Sequence, residues 1–283
     1  MIFDNRPCEL GEGALWHPQR GQLFWFDILG QRMLSVEKGE QRQWRFPELV
    51  SAAGWVDRDM LLLAGERDLF LFDVETEETQ TLVELEADNR ATRSNDGRAD
   101  PMGGFWIGTM GRKAEPGAGA IYRYWRGDLR PLFRGITIPN AICFAADGRT
   151  AHFTDTVTRR VMRVALDAEG WPAGQPSVYL DLTAHDWGPD GAVMDADGLF
   201  WLAQWGAGRV SAFAPDGSLV RHVDFDAPQT SCPAFGGAGM STLFCTSALE
   251  NMDAAARLAH PSAGMTFMAE GIARGRAEPR VLP

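Results

Sequence analysis

Six short apolar runs recur along the chain: Leu23-Phe-Trp-Phe-Asp, Leu61-Leu-Leu-Ala-Gly, Phe105-Trp-Ile-Gly-Thr, Ala151-His-Phe-Thr-Asp, Phe200-Trp-Leu-Ala-Gln and Leu243-Phe-Cys-Thr-Ser. Their starts are separated by 38, 44, 46, 49 and 43 residues. Runs this short, bounded by turn residues, read as buried strands. Four follow a glycine turn: Arg20-Gly-Gln, Met102-Gly-Gly, Asp147-Gly-Arg and Asp197-Gly-Leu. Another apolar segment precedes each run, as in Ala14-Leu-Trp, Ala141-Ile-Cys-Phe and Ala192-Val-Met. A third follows most of them, as in Leu69-Phe-Leu-Phe-Asp and Val161-Met-Arg-Val-Ala, and a weaker fourth follows that, as in Gln43-Trp-Arg-Phe and Val178-Tyr-Leu.

A four-stranded unit repeated six times at this period predicts an all-β, six-bladed β-propeller. No segment carries a sustained helical period, although Met252 to Leu258 has room for one short helical turn. The segment Ile2-Phe3 lies outside the first unit and is placed to complete the last. With no linker in view, residues 1–283 are expected to form a single domain. Ten Trp and 31 Gly suit short strands joined by tight turns.

In a propeller, equivalent repeat positions form a ring about the central axis. Glu12 lies 11 residues before Leu23, Asn95 lies 10 before Phe105, Asn140 lies 11 before Ala151, and Asp190 lies 10 before Phe200. Ser51 and Cys232 stand near the same register in the other two repeats. Two carboxylates and two amides brought together repel unless a cation joins them. Oxygen donors favour a hard divalent ion such as Ca²⁺, Mg²⁺ or Mn²⁺, and carboxylates also accept Zn²⁺. No His shares the register, which argues against a His-rich zinc centre.

Net charge narrows the partners. At −11, with no basic run, the chain is not expected to bind nucleic acid or a membrane surface. No apolar run approaches a bilayer span, and the first residues carry no secretory pattern, so a cytoplasmic location is expected. Cys8, Cys143, Cys232 and Cys245 form no metal or disulfide spacing and read as buried thiols.

Several motifs together carry a resemblance: Leu10-Gly-Glu-Gly-Ala-Leu-Trp, Arg93-x-Asn-Asp-Gly with Asp100-Pro-x-Gly, Phe105-Trp-Ile-Gly-Thr-Met, Ile138-Pro-Asn-Ala, Phe153-Thr-Asp-Thr, Gly188-Pro-Asp-Gly with Asp195-x-Asp-Gly, and Cys232-Pro-Ala-Phe-Gly-Gly. In this order they resemble the SMP-30/gluconolactonase/regucalcin family across nearly the whole chain. The resemblance implies one catalytic divalent metal, Ca²⁺ first, with Zn²⁺, Mn²⁺, Mg²⁺ and Fe²⁺ as further candidates. Glu12, Asn140 and Asp190 would be its ligands. Arg93 and Asn95 would contact substrate hydroxyls, with Asn95 close to the metal.

The implied reaction is hydrolysis of a sugar lactone to an aldonic acid in carbohydrate catabolism, by a monomer or weak homo-oligomer. Asp190 is expected to serve as general base and then acid, either directly or through a bridging water. One departure concerns the segment Arg112-Lys-Ala-Glu-Pro-Gly-Ala-Gly, a candidate lid. Some family members hold a substrate-binding carboxylate where this chain has Lys113, and Glu115 follows two residues on. His185, Trp187 and the loop Asn251 to Gly264 are further candidates for the pocket rim. Alternative readings are another ester or organophosphate hydrolase, or a calcium-binding propeller without catalysis.

Overall fold

A computed structural model describes all 283 residues. After the short strand β1 (Ile2–Asp4) the chain builds β2 (Gly11–His17), β3 (Gln22–Asp27), β4 (Arg32–Glu37) and β5 (Glu40–Arg45) as the first sheet. The second holds β6 (Val50–Trp55), β7 (Met60–Gly65), β8 (Asp68–Asp73) and β9 (Thr79–Glu84). The third holds β10 (Thr92–Ala99), β11 (Phe105–Gly111), β12 (Gly119–Trp125) and β13 (Asp128–Ile136). The fourth holds β14 (Pro139–Phe144), β15 (Thr150–Asp155), β16 (Arg160–Ala165) and β17 (Ser177–Asp181), and the fifth β18 (Gly188–Met194), β19 (Phe200–Trp205), β20 (Arg209–Phe213) and β21 (Leu219–Asp224).

The sixth sheet combines β22 (Thr230–Gly236), β23 (Thr242–Ser247) and β24 (Thr266–Glu270) with β1, which pairs antiparallel to β24 through Ile2 opposite Phe267 and Asp4 opposite Thr266. Ile2-Phe3 thus closes the ring as the sequence suggests. The six sheets are the blades of a β-propeller. The one α-helix, α1 (Ala254–Ala259), overlaps the stretch Met252 to Leu258 expected to hold a helical turn and is capped by Asp253, whose carboxylate accepts from Ala256 N at 2.8 Å.

Every apolar run seen in the sequence is the second strand of a blade. These strands are covered on both faces because neighbouring blades pack against them, which is why they read as continuous rather than alternating. Trp25, Trp106 and Trp201, each on one of these strands, are fully buried. The core is divided among the blade interfaces. Phe24, Phe26 and Met33 of the first blade pack with Leu61, Leu63 and Phe72 of the second, while Cys232, Ala234 and Phe244 of the last blade pack with Ala14, Leu23 and Trp25 of the first. Fourth strands such as β21 are mostly exposed.

The first strands β2, β6, β10, β14, β18 and β22 touch their neighbours around the axis and line it. The residues after β24 cross the ring at the far ends of these strands. Arg98 of β10 forms a buried ion pair with Glu278, Trp55 Nε1 donates to the carbonyl of Glu278 at 2.7 Å, and Val281 N donates to the carbonyl of Trp55 at 2.9 Å. All four cysteines are free and buried. No helix is long and apolar enough to cross a membrane.

Candidate active site

Each first strand carries a register shift close to its start: between Glu12 and Leu15, Val50 and Ala52, Ser94 and Gly97, Asn140 and Cys143, Pro189 and Ala192, and Thr230 and Pro233. A bulge bends the strand and re-aims a side chain. Here the bulge falls at the register the sequence singled out, in all six blades. The backbone is arranged to allow it. Gly13, after Glu12, has φ +60, and a side chain there would meet the carbonyl of Ser51. Ala141, after Asn140, adopts φ 55 while wholly buried, an unusual conformation for a residue with a Cβ.

Glu12, Arg93, Asn95, Asn140 and Asp190 all line one cavity of about 530 Å³ at this end of the ring. All five side chains are buried. Asn95 Nδ2 donates to Asn140 Oδ1 at 3.0 Å, and Asn140 Nδ2 donates to Thr156 Oγ1 at 2.9 Å. These two bonds fix which way the Asn140 amide faces. Its oxygen accepts once and keeps a second lone pair. Arg93 Nη1 donates to Asn95 Oδ1 and to the carbonyl of Ser94, each at 2.9 Å. Of the two remaining registers, Ser51 donates to Ser94 Oγ at 2.8 Å and Cys232 is buried between blades, and neither lines the cavity.

The electrostatics are those of too many carboxylates and too few cations. Burial pushes Glu12 up to about 8, with the Asp96 charge adding to it. Burial also holds Asp190 well above the usual carboxylate range, with Glu12 the next cause. Asp190 is 3 % exposed, and its Oδ1 has no hydrogen-bond partner. A buried carboxylate oxygen without a donor is costly. Asp190 with its unpartnered oxygen, Glu12 whose Oε2 accepts only from Gly13 N at 3.3 Å, and an amide oxygen with a free lone pair make a donor set suited to a hard divalent cation. No three His, Cys, Asp or Glu side chains come together as a metal-binding group anywhere in the chain, so a cation here would rest on two carboxylates and an amide.

The second strands run back toward the same mouth and complete its walls. Arg112, Lys113 and Ala114 follow β11, Thr156 follows β15, Trp205 ends β19, and Glu250 and Asn251 lie just after β23. The candidate lid therefore borders the cavity through its first three residues. Glu115 instead accepts from Lys113 N at 3.0 Å within the loop and does not reach the cavity. The expectation for His185 and Trp187 needs correction. Their rings stack on each other at 4.8 Å, Trp187 packs beside the core between blades four and five, and neither lines the cavity. The aromatic wall is Trp205. Of the loop Asn251 to Gly264, only Asn251 borders the cavity.

Glu250 was not singled out from the sequence. The available signal was its position shortly after a second strand, where antiparallel pairing returns the chain to the end at which first strands begin. Burial raises its carboxyl, and the Arg93 cation draws it back. The acidic turns Asp100-Pro-x-Gly and Asp195-x-Asp-Gly serve the opposite end of the ring. Asp100 Oδ1 accepts from Met102 N and Gly104 N, and Asp195 Oδ1 from Asp197 N and Leu199 N.

A β-propeller with a polar, carboxylate-bearing cavity at one end of its axis defines the class. Within it, residues 10–249 match the family model described as SMP-30/Gluconolactonase/LRE-like region, and the chain belongs to that family. It is 45% identical over 274 residues to a putative sugar lactone lactonase of Rhizobium meliloti, covering 96% of this chain and 93% of that protein. It is 33% identical to the L-arabinolactonase of Azospirillum brasilense, covering 99% and 94%. Among solved structures, a calcium-binding protein described as regucalcin from Agrobacterium tumefaciens superposes with a TM-score of 0.98 at 41% identity, over 100% of this chain and 97% of that one.

Proposed function

We propose that the protein is a sugar lactonase that opens an aldono-lactone to the aldonic acid and uses one divalent cation held by Glu12, Asn140 and Asp190. The observation that carries this reading is the unpartnered Oδ1 of Asp190 in the cavity that also holds Glu12, Asn140 and Arg93. The sugar-lactonase names of two relatives over most of their length support the reaction class. The oxygen-only donors favour Ca²⁺, with Zn²⁺, Mn²⁺, Mg²⁺ and Fe²⁺ to be compared.

When bound, the cation supplies Lewis-acid polarisation of the lactone carbonyl and stabilises negative charge on its oxygen. The chain's own residues supply the rest. Asp190 takes the proton of the attacking water and returns it to the ring oxygen as that bond breaks. Arg93, held through Nη1, presents its remaining N–H groups to lactone hydroxyls in a fixed orientation that Lys would not reproduce. Asn95 links Arg93 to Asn140, so that substrate contacts and cation ligands move as one unit. Trp205, Met110 and Ile138 give the sugar ring an apolar wall.

The test is hydrolysis of a panel of aldono-lactones after chelation and after adding back each cation in turn, with Asp190→Ala beside the wild type. Turnover restored by a cation and absent from the variant supports the proposal. Stoichiometric cation binding without turnover of any lactone would instead favour a binding protein, and turnover of aryl or phosphate esters alone would favour another hydrolase.

A further inference from the structure

Glu250 is the one carboxylate lining the cavity besides Glu12 and Asp190. Its main-chain carbonyl is held by Gln229 Nε2 at 2.9 Å, which fixes the backbone, while neither of its carboxylate oxygens accepts a hydrogen bond from the chain. Arg93 has a complementary deficit. Nη1 is fully used, and Nε and Nη2 have no partner in the chain. Both side chains line the same cavity, yet no ion pair closes between them within 4.0 Å. An arginine and a half-buried carboxylate that face one cavity and stay apart leave room for something between them.

A hydroxyl is the kind of group that satisfies both side chains at once. Its oxygen accepts from a guanidinium N–H and its hydrogen is donated to a carboxylate, each at roughly 2.7–3.0 Å, so one hydroxyl bridges groups up to about 6 Å apart. Both bonds are charge-assisted. Arg93 is tied to Asn95, and Asn95 to Asn140, so the gap lies beside the carboxylate–amide ring. The hydroxyl read there is one near the reacting carbonyl. Of the other two cations lining the cavity, Arg112 is committed to Glu66 and Lys113 stands in the exposed loop after β11.

We infer that Glu250 is a specificity-determining residue that, opposite Arg93, selects lactones bearing a free hydroxyl next to the carbonyl. This rests on the lactonase reading, because the substrate class comes from there. The pairing of Arg93 with Glu250 is independent of it.

The experiment compares wild type, Glu250→Gln and Glu250→Asp on a hydroxylated aldono-lactone and on its 2-deoxy counterpart. Binding of 1,5-anhydroglucitol, a cyclic polyol that cannot be hydrolysed, is followed in parallel by NMR. A site built to pair with a hydroxyl discriminates strongly against the analogue lacking it. Glu250→Gln should therefore lower the ratio of kcat/KM for the hydroxylated over the deoxy lactone by about 10–100-fold, mostly through KM. Glu250→Asp should recover part of that ratio. Equal losses on both lactones, or none on either, would overturn the inference and leave Glu250 as a charge that merely steadies Arg93. Should the wild type open no lactone yet bind the polyol in a Glu250-dependent way, the pair stands and the lactonase reading fails. Polyol binding unchanged by Glu250→Gln overturns the pair itself. Thermal melting of each variant separates these outcomes from misfolding.

Discussion

Asn95 and Asn140 meet side chain to side chain across blades three and four, Nδ2 of the first donating to Oδ1 of the second at 3.0 Å. The contact ties the arginine-bearing motif of one blade to the amide proposed as a cation ligand in the next. Asn140 presents a defined oxygen to the cavity because its neighbours leave the amide no other orientation.

Asn95→Ala should therefore do more than remove a substrate contact. It frees the Asn140 amide and Arg93 together. Activity should fall about 10²-fold or more, as expected when a positioning contact is lost. Cation affinity, measured by calorimetry, should fall in the same variant. Unchanged cation affinity would show that Asn140 holds its orientation through Thr156 alone.

Asp190→Asn should separate function from stability. Asp190 and Glu12 are both buried, and the Glu12 charge adds to the cost of ionising Asp190. Removing one charge relieves that cost in the chelated protein, so its melting temperature should rise, by an amount corresponding to roughly 1–3 kcal/mol. Hydrolysis should be lost. In the wild type, added cation should raise the melting temperature by mass action, and the variant should respond less. Calorimetry with and without chelator checks both expectations.

Ala141 is held at φ 55 with no exposed surface. A β-branched side chain resists that conformation and has no space beside it. Ala141→Val should cost roughly 2–4 kcal/mol in chemical denaturation. Ala141→Gly should lie within about 1 kcal/mol of wild type, because glycine accepts the backbone while losing one methyl contact.

His152 predicts a pH dependence of stability. Burial lowers its pKa to about 4, with Arg163 contributing in the same direction. The native state keeps the ring neutral, whereas an unfolded chain protonates it near the ordinary value of about 6.5. The contribution is complete above that value and is lost as pH falls toward 4, amounting to a few kcal/mol at the lower end. His152→Phe should flatten the fall in melting temperature between pH 6.5 and 4. An equally steep fall in the variant would assign it to other groups.

Four of the five residues read from the sequence, Glu12, Asn95, Asn140 and Asp190, reached one cavity because each sits in a repeated place, at the bulge near the head of a first strand, while Arg93, two residues before Asn95, was read through the family resemblance. Repetition made that register visible. Glu250 and Trp205 belong to the returning ends of second strands, where the blades share no residue type and a single sequence holds no recurring signal. Trp187 misled for a related reason. It is close to Asp190 in sequence, but it precedes the strand, and its ring turns to His185 and the neighbouring core. The bulges themselves were not legible, since they appear in the pairing of strands and not in composition.

The strand β1 pairs with β24, so the first strand made belongs to the last blade completed. During synthesis on a ribosome, five blades have their full complement of strands before the sixth exists. Throughout that time Phe3 lacks Phe244, against which its ring packs edge-on at 4.9 Å in the finished protein. The growing chain therefore carries an open seam with apolar surface on both lips. It is sealed only when the last strands emerge. A circular permutant that cuts between blades and joins the present termini would make all four strands of this blade consecutively, and should shorten the time during which the apolar seam stays open.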